Sequence, residues 1–377
     1  MNPNLEPTQA QQDSSTTGRH IPALDGIRGL AILLVFMDHF LWSNPDVRGP
    51  WIVRLGSRVH GAGWIGVDLF FVLSGFLITG ILYDTLKAPR FFRNFYARRA
   101  LRIFPLYYGF LLLLFLGTLL TGGHWDSLAA IKLLTYTENL AIHPTGASIN
   151  GTWFNINHFW SLAIEEQFYL LFSLFARFLR NRWLMFVSLS LAVLSCGLRV
   201  AFTVTGHAQD PAVWRLTLLH LDPIALGALL ACSAGFLQWA SRWRWVLLVA
   251  GAVGLWLPLP DGMGILAGGV AATGLVAMAA TRSVPLLRSR VLTRLGKYSY
   301  AIYVLHPAWI VPPLAKKHPH SVPLMLGALL LGPVVSYGIG VLSWNVLEKH
   351  LLKYKRYFPY RFAPDGDSTE NIVIEAA

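Results

Sequence analysis

The chain is short of charge. Asp, Glu, Lys and Arg make up only 13% of its 377 residues, where a soluble domain carries roughly 25%. With 54% hydrophobic residues beside that figure, an ordinary soluble enzyme is excluded before any motif is read. Cysteine is scarce as well. Cys196 and Cys232 lie in separate apolar runs, with no CxxC and no spaced framework. Neither a disulfide scaffold nor a thiolate metal site is expected, and both read as small buried hydrophobes. The histidines lack i, i+4 pairing with carboxylates at ligand spacing, so no metal is expected. The net charge is +12, yet no Lys/Arg block with interleaved aromatics sits in a polar domain. That removes nucleic acid from the expected partners. No repeat of fixed period is present.

What the chain does have is long apolar runs, many near the ~20 residues that cross a bilayer. The expected fold class is all-α, a polytopic transmembrane helix bundle of about ten spans. They fall at about 22–42, 61–83, 103–121, 158–177, 183–203, 214–236, 244–259, 263–281, 298–315 and 322–346. The "LPLP" at 257–260 breaks the seventh, so 244–281 reads as a merged or re-entrant pair. Residues 1–20 are polar and read as a disordered tail. The expected membrane domain is 21–350, followed by a tail at 351–377, with no appended soluble domain. No small-residue cleavage site follows the first run, which reads as an uncleaved span. With both termini cytoplasmic, the inner side collects about three times as many of the 31 Lys and Arg residues as the outer. The positive-inside rule therefore favours N-in and C-in.

Charges inside spans are costly and mark function. In "RGLAILLVFMDH", Arg28 and His39 lie about three turns apart on one face of the first span, roughly 16 Å along its axis. The bland alternative is an arginine that snorkels and a histidine that caps. Glu165 and Glu166 sit two turns into "HFWSLAIEEQFYLLFSLF", and Asp222 opens "LDPIALGALLA". Two adjacent carboxylates on an apolar helix cannot both face lipid. Arg98, Arg99 and Arg102 stand where the third span is expected to start, with a spacing suited to phosphate and a helix dipole that favours anions. Tyr298, Tyr300, Tyr303 and His306 read as an aromatic interface on the ninth span. The polar groups thus sort by depth, with arginines at the inner face and His39, Glu165, Glu166 and Asp222 in the outer half.

These segments, in this order, resemble the acyltransferase-3 family of integral membrane acyltransferases, which includes bacterial O-antigen O-acetylases and macrolide acyltransferases. The matching pieces are "LDGIRGLAILLVFMDH", "GVDLFFVLSGFLIT", "FYARRALRIFPLYY", "FWSLAIEEQFYLL", "LDPIALGALLA" and "YSYAIYVLHP", over about residues 20–350. The closing "WNVLEKHLLKY" carries Glu348 in its usual place, with His350 where the family commonly has Pro. The resemblance implies transfer of an acyl group, commonly acetyl, from cytoplasmic acyl-CoA to a hydroxyl of a sugar or related acceptor. It implies a bacterial cytoplasmic membrane as the setting. Arg28 and His39 match the family's functional pair, Arg99 and Arg102 its paired arginines, and Glu165 and Glu166 its Glu-containing motif.

The expected mechanism follows. Arg28, Arg98, Arg99 and Arg102 hold the CoA phosphates, and the pantetheine arm runs up beside the first span. His39 acts as general base on the acceptor hydroxyl. Asp38, Glu165, Glu166 or Asp222 orients it, with Glu166 favoured. An acyl-enzyme on Ser74 or on His39 is the alternative, although Ser74-Gly75 also suits a close helix contact. The acceptor reads as a cell-surface carbohydrate or glycolipid, with a secondary-metabolite hydroxyl as the alternative. A transporter or flippase of a sugar-containing substrate is the competing class.

Overall fold

The computed structural model describes residues 21–40, 63–86, 90–140, 156–207, 212–257, 262–306 and 321–360, with Ala88, Asp210, Lys317 and His318. Among these residues every regular element is helical, as expected where backbone groups must bond within their own segment. The main helices are α1 Pro22–Phe40, α2 Ile65–Thr85, α3 Phe91–Leu120, α4 Ser127–Leu134, α5 Trp160–Phe178 and α6 Asn181–Phe202. They continue with α7 Asp222–Cys232, α8 Ala234–Arg242, α9 Arg244–Trp256, α10 Met263–Thr281, α11 Arg290–Leu305 and α12 Val322–Ser343. The tails at 1–20 and 361–377, and most of "LPLP", lie outside the described residues.

Among the described residues five stretches are long and apolar enough to cross a bilayer: α2, α3, 181–207, α10 and 322–357. A sixth is possible only if α7 and α8, bent by 110° at their junction, count as one span. The expected straight span at 214–236 is therefore replaced by this broken pair. Pro223 starts α7 where a missing N–H costs nothing. Ser233 ends it in an extended conformation, and its hydroxyl accepts from Phe236 N to cap α8. The third helix departs from expectation in another way. It is 30 residues long and begins at Phe91, twelve residues before the apolar run. Arginine is a good helix former, so the charged stretch continues the helix that hydropathy alone cannot see. Arg98, Arg99 and Arg102 consequently stand in the body of α3, and the argument from its N-terminal dipole falls away.

α1 lies inside the bundle, packed against α2, α10, α11 and α12. Its approach to its neighbours depends on glycine. A Cβ on Gly29 would sit 2.1 Å from the Leu292 carbonyl oxygen of α11. α2 and α7 cross in the same manner: a Cβ on Gly75 would lie 1.9 Å from Ile224 O, and one on Gly227 1.9 Å from Val72 O. Close backbone approach through small residues is how helices associate where lipid removes the hydrophobic driving force. The large exposed apolar residues, among them Leu112, Leu113 and Leu120 on α3 and Leu330, Leu331 and Val334 on α12, suit a hydrocarbon surrounding.

A buried polar network ties α2, α6 and α7 together. Arg199 donates to both Asp222 oxygens at 2.7 Å and to the Leu219 carbonyl at 2.6 Å. Ser195 donates to Asp222 Oδ1 at 3.1 Å. Next to it, the His220 ring joins Asp68 Oδ1 at 2.8 Å and the Trp214 carbonyl at 2.6 Å. Both charges of the Arg199–Asp222 pair are nearly inaccessible, which is the arrangement a buried ion needs.

Candidate functional site

A cavity opens between α1, α2, α3, α5 and α11, with about 860 Å³ of atom-free space counting its mouth. Its polar lining comes from five helices: Arg28, Ser74, Arg99 with Arg102, Glu165 with Glu166 and Tyr169, and Tyr300 with Tyr303. Helical periodicity explains each contribution. Arg99 and Arg102, three apart, share a face of α3. Ser74 lines the cavity, while Gly75 beside it lets α2 lie against α7, the close helix contact that the dipeptide suits.

The lining is connected. Arg28 Nη1 donates to Asp25 Oδ1 at 2.8 Å. The Ser74 and Tyr169 hydroxyls are hydrogen-bonded, and Tyr169 donates to Glu165 Oε2 at 3.1 Å. The Arg99 guanidinium lies 5.6 Å from the centre of the Tyr169 ring. Arg102 is in electrostatic reach of Arg28, Arg99 and Glu348. Glu348 is itself buried and accepts from Ser343 at 2.9 Å. Three guanidiniums thus meet in the cavity among the carboxylates of Asp25, Glu165, Glu166 and Glu348.

His39 does not line this cavity. It joins a group of three imidazoles, with ring centres 4.9 Å from His306 and 6.1 Å from His158, while His158 and His306 are 4.8 Å apart. Tyr303 connects the two regions. It lines the cavity, its ring centre is 5.4 Å from His158, and its hydroxyl donates to the His158 carbonyl at 2.9 Å. The His39 Nδ1 lies 3.0 Å from the Val35 carbonyl oxygen. A carbonyl only accepts, so Nδ1 carries the hydrogen and Nε2 holds the lone pair of the neutral ring. Asp38 Oδ2 is 4.0 Å from that Nε2.

Arg28, Arg99, Arg102, Glu165 and Glu166 are thus brought together. The other expected site residues are not. Arg98 turns away to the carbonyls of Lys355 (3.1 Å) and Phe358 (3.3 Å), and its guanidinium lies 4.4 Å from the Tyr360 ring centre. Asp222 is held by Arg199 and Ser195. Glu165 and Glu166 line the cavity from α5, whereas His39 does not. Among the described residues it has Asp38 and the two other histidines beside it. His158 and His306 were legible only as members of their motifs. Spacing along the chain carries no sign that rings on three separate segments meet. Among the described residues no group of His, Cys, Asp or Glu is arranged to hold a metal ion.

A family model described as "Acyltransferase domain" matches residues 21–344. Among curated proteins the chain is similar to O-acetyltransferase OatA of Staphylococcus aureus strain NCTC 8325 / PS 47. It is 30% identical over 239 residues, which is 56% of this chain and 34% of the relative. The same protein from strain COL matches with the same identity and coverage. The chain therefore aligns with about a third of the length of these relatives. No solved structure matches.

Proposed function

The chain belongs to the acyltransferase-3 family, and on that premise we propose that it is a membrane O-acyltransferase moving an acetyl group from acyl-CoA to a hydroxyl of a carbohydrate or glycolipid. One observation carries the donor side. Arg28 from α1 and Arg99 and Arg102 from α3 meet at one cavity, and three guanidiniums converging there supply more donors than their carboxylate neighbours take up. CoA phosphates fit it, bound by charge-assisted hydrogen bonds. The apolar length beyond them, past Phe70, Phe71, Leu162 and Tyr300, suits a pantetheine arm reaching toward Tyr303 and the histidines.

At that end the acceptor oxygen attacks the thioester carbonyl carbon, the C–S bond breaks and CoA leaves as thiolate. The hydroxyl proton passes to His39 Nε2, the lone-pair nitrogen fixed by the Val35 contact, and from there to the thiolate. Asp38 offsets the charge the ring then carries. The relative's name, an O-acetyltransferase, supports acetyl as the group moved. The test is thiol release from acetyl-CoA by purified protein in nanodiscs, with and without sugar acceptors. Acceptor-stimulated release should fall about 10²–10⁴-fold in His39→Ala while CoA binding persists. Absence of both turnover and CoA binding in folded protein would refute the reading.

A further inference from the structure

The three-histidine group has more acceptors than one hydroxyl can serve. His306 Nδ1 lies 2.7 Å from the Tyr303 carbonyl oxygen, so that nitrogen carries the hydrogen and Nε2 is a lone pair. His306 is buried, and its Nε2 has no hydrogen-bond partner. His158 is a second such case among the described residues, its Nε2 buried and without a hydrogen-bond partner. A buried acceptor left without a donor is costly, and such groups mark places where a ligand completes the structure. The His306 ring centre is only 4.9 Å from that of His39.

A hydroxyl has a single proton. The one that gives its proton to His39 cannot also donate to His306. We propose that His306 is a specificity-determining residue whose Nε2 accepts a hydrogen bond from a second hydroxyl, next to the one acylated, so that the acceptor is a vicinal diol of a polyol rather than an isolated alcohol. This rests on reading the chain as a hydroxyl acyltransferase and narrows its acceptor. Two rings with centres 4.9 Å apart can each take an O–H···N bond of about 2.8 Å from one of two adjacent hydroxyls. His158 lies 4.8 Å from His306 and 6.1 Å from His39, so the three rings form a triangle, and its buried Nε2 faces a further hydroxyl of the same sugar ring in this arrangement.

Two measurements on the full chain in nanodiscs test this. The first compares methyl β-D-glucopyranoside, as a polyol probe, with cyclohexanol in acetyl-CoA-dependent thiol release. The kcat/KM ratio of glycoside to cyclohexanol should drop about tenfold or more in His306→Leu, chiefly through the glycoside KM. His306→Gln, whose amide oxygen still accepts, should recover part of it. The second follows the unprotonated ring nitrogens by ¹⁵N NMR of histidine-labelled wild type, with His306 assigned from His306→Gln. Its signal should move and saturate with the glycoside and stay in place with cyclohexanol. An unchanged ratio together with an unmoved signal overturns the proposal and points to a bridging water. Thiol release with an unchanged ratio defeats the diol site but leaves acyl transfer standing. A saturating shift with no thiol release from any alcohol does the reverse.

Discussion

Arg98, Arg99 and Arg102 lie within one turn and a half of the same helix, yet the structure gives them different work. Arg99 and Arg102 face the cavity, while Arg98 holds the carbonyls of Lys355 and Phe358. Losing a hydrogen bond to a charged group costs about 1.5–3 kcal/mol. Arg99→Gln and Arg102→Gln should therefore each raise the KM for acetyl-CoA by roughly tenfold or more, and Arg98→Gln should change it far less. Equal effects from all three would defeat the assignment. Asp222 belongs to stability in the same way. Asp222→Asn leaves Arg199 charged and buried beside half a partner, and removing one member of such a pair costs about 3–5 kcal/mol. The expected result is a clear drop in thermal midpoint by size-exclusion after heating. Glu138, outside the spanning helices, gives a pH signature. Both its carboxyl oxygens are buried and unpartnered, and burial pushes its pKa up to about 8 from 4.5. The folded state therefore holds the proton more tightly than the unfolded chain. The stability this contributes is complete below about pH 4.5 and is lost as pH rises through about 8. Glu138→Gln should flatten the stability profile across that window, read from midpoints at several pH values. At this scale charge marked residues of the cavity but depth misplaced two of them: Glu165 and Glu166, expected in the outer half with His39, share a chamber with Arg28, Arg99 and Arg102. The sequence was silent on His158, His306 and the Arg199 partner of Asp222, because those contacts join segments that only packing brings together.

Helices show a different limit. Hydropathy located the runs that became the longer apolar helices and missed α4 at Ser127–Leu134; it marks where a chain is greasy, not where its hydrogen bonding begins or bends. The twelve residues added at the start of α3 and the 110° turn between α7 and α8 were both hidden from it, one by arginines and one inside an apolar stretch. Glycine pairing was partly visible, since Ser74-Gly75 reads as a close helix contact, and the structure supplies its partner. Two glycines of α2 make the test. At Gly75 a Cβ would lie 1.9 Å from Ile224 O, whereas at Gly80 nothing lies within 4 Å. Gly75→Ala must push α2 from α7 and should cost about 1–3 kcal/mol or more, as overpacking does. Gly80→Ala should be neutral or stabilising by about 0.5–1 kcal/mol, the helix preference of alanine. Parallel gain in both variants, measured by thermal midpoint, would mean that helix propensity rather than the crossing decides the effect.

For the molecule as a whole, the proposed chemistry requires an orientation. Acyl-CoA is a cytoplasmic donor, so the Arg28 end of α1 has to face the cytoplasm and the histidine end the opposite side. The charge distribution asks for the same orientation: basic residues crowd the segments at 90–102 and 282–297, while 121–140 carries Lys132 alone. The two segments that settle it, His124 and Ser283, are both exposed. With Cys196 and Cys232 replaced by serine, single His124→Cys and Ser283→Cys variants in intact cells should part cleanly. A membrane-impermeant maleimide should label residue 124 directly, and residue 283 only after permeabilisation. The reverse pattern would put the arginine cluster outside and cut it off from cytoplasmic CoA. The cavity would then need a different anion, and the transferase reading would lose its donor although the fold stood unchanged. Labelling of both positions in intact cells would place α1 and α10 in an arrangement that no single crossing of each can produce. It would turn attention to the α7–α8 bend as the point where the chain re-enters rather than crosses.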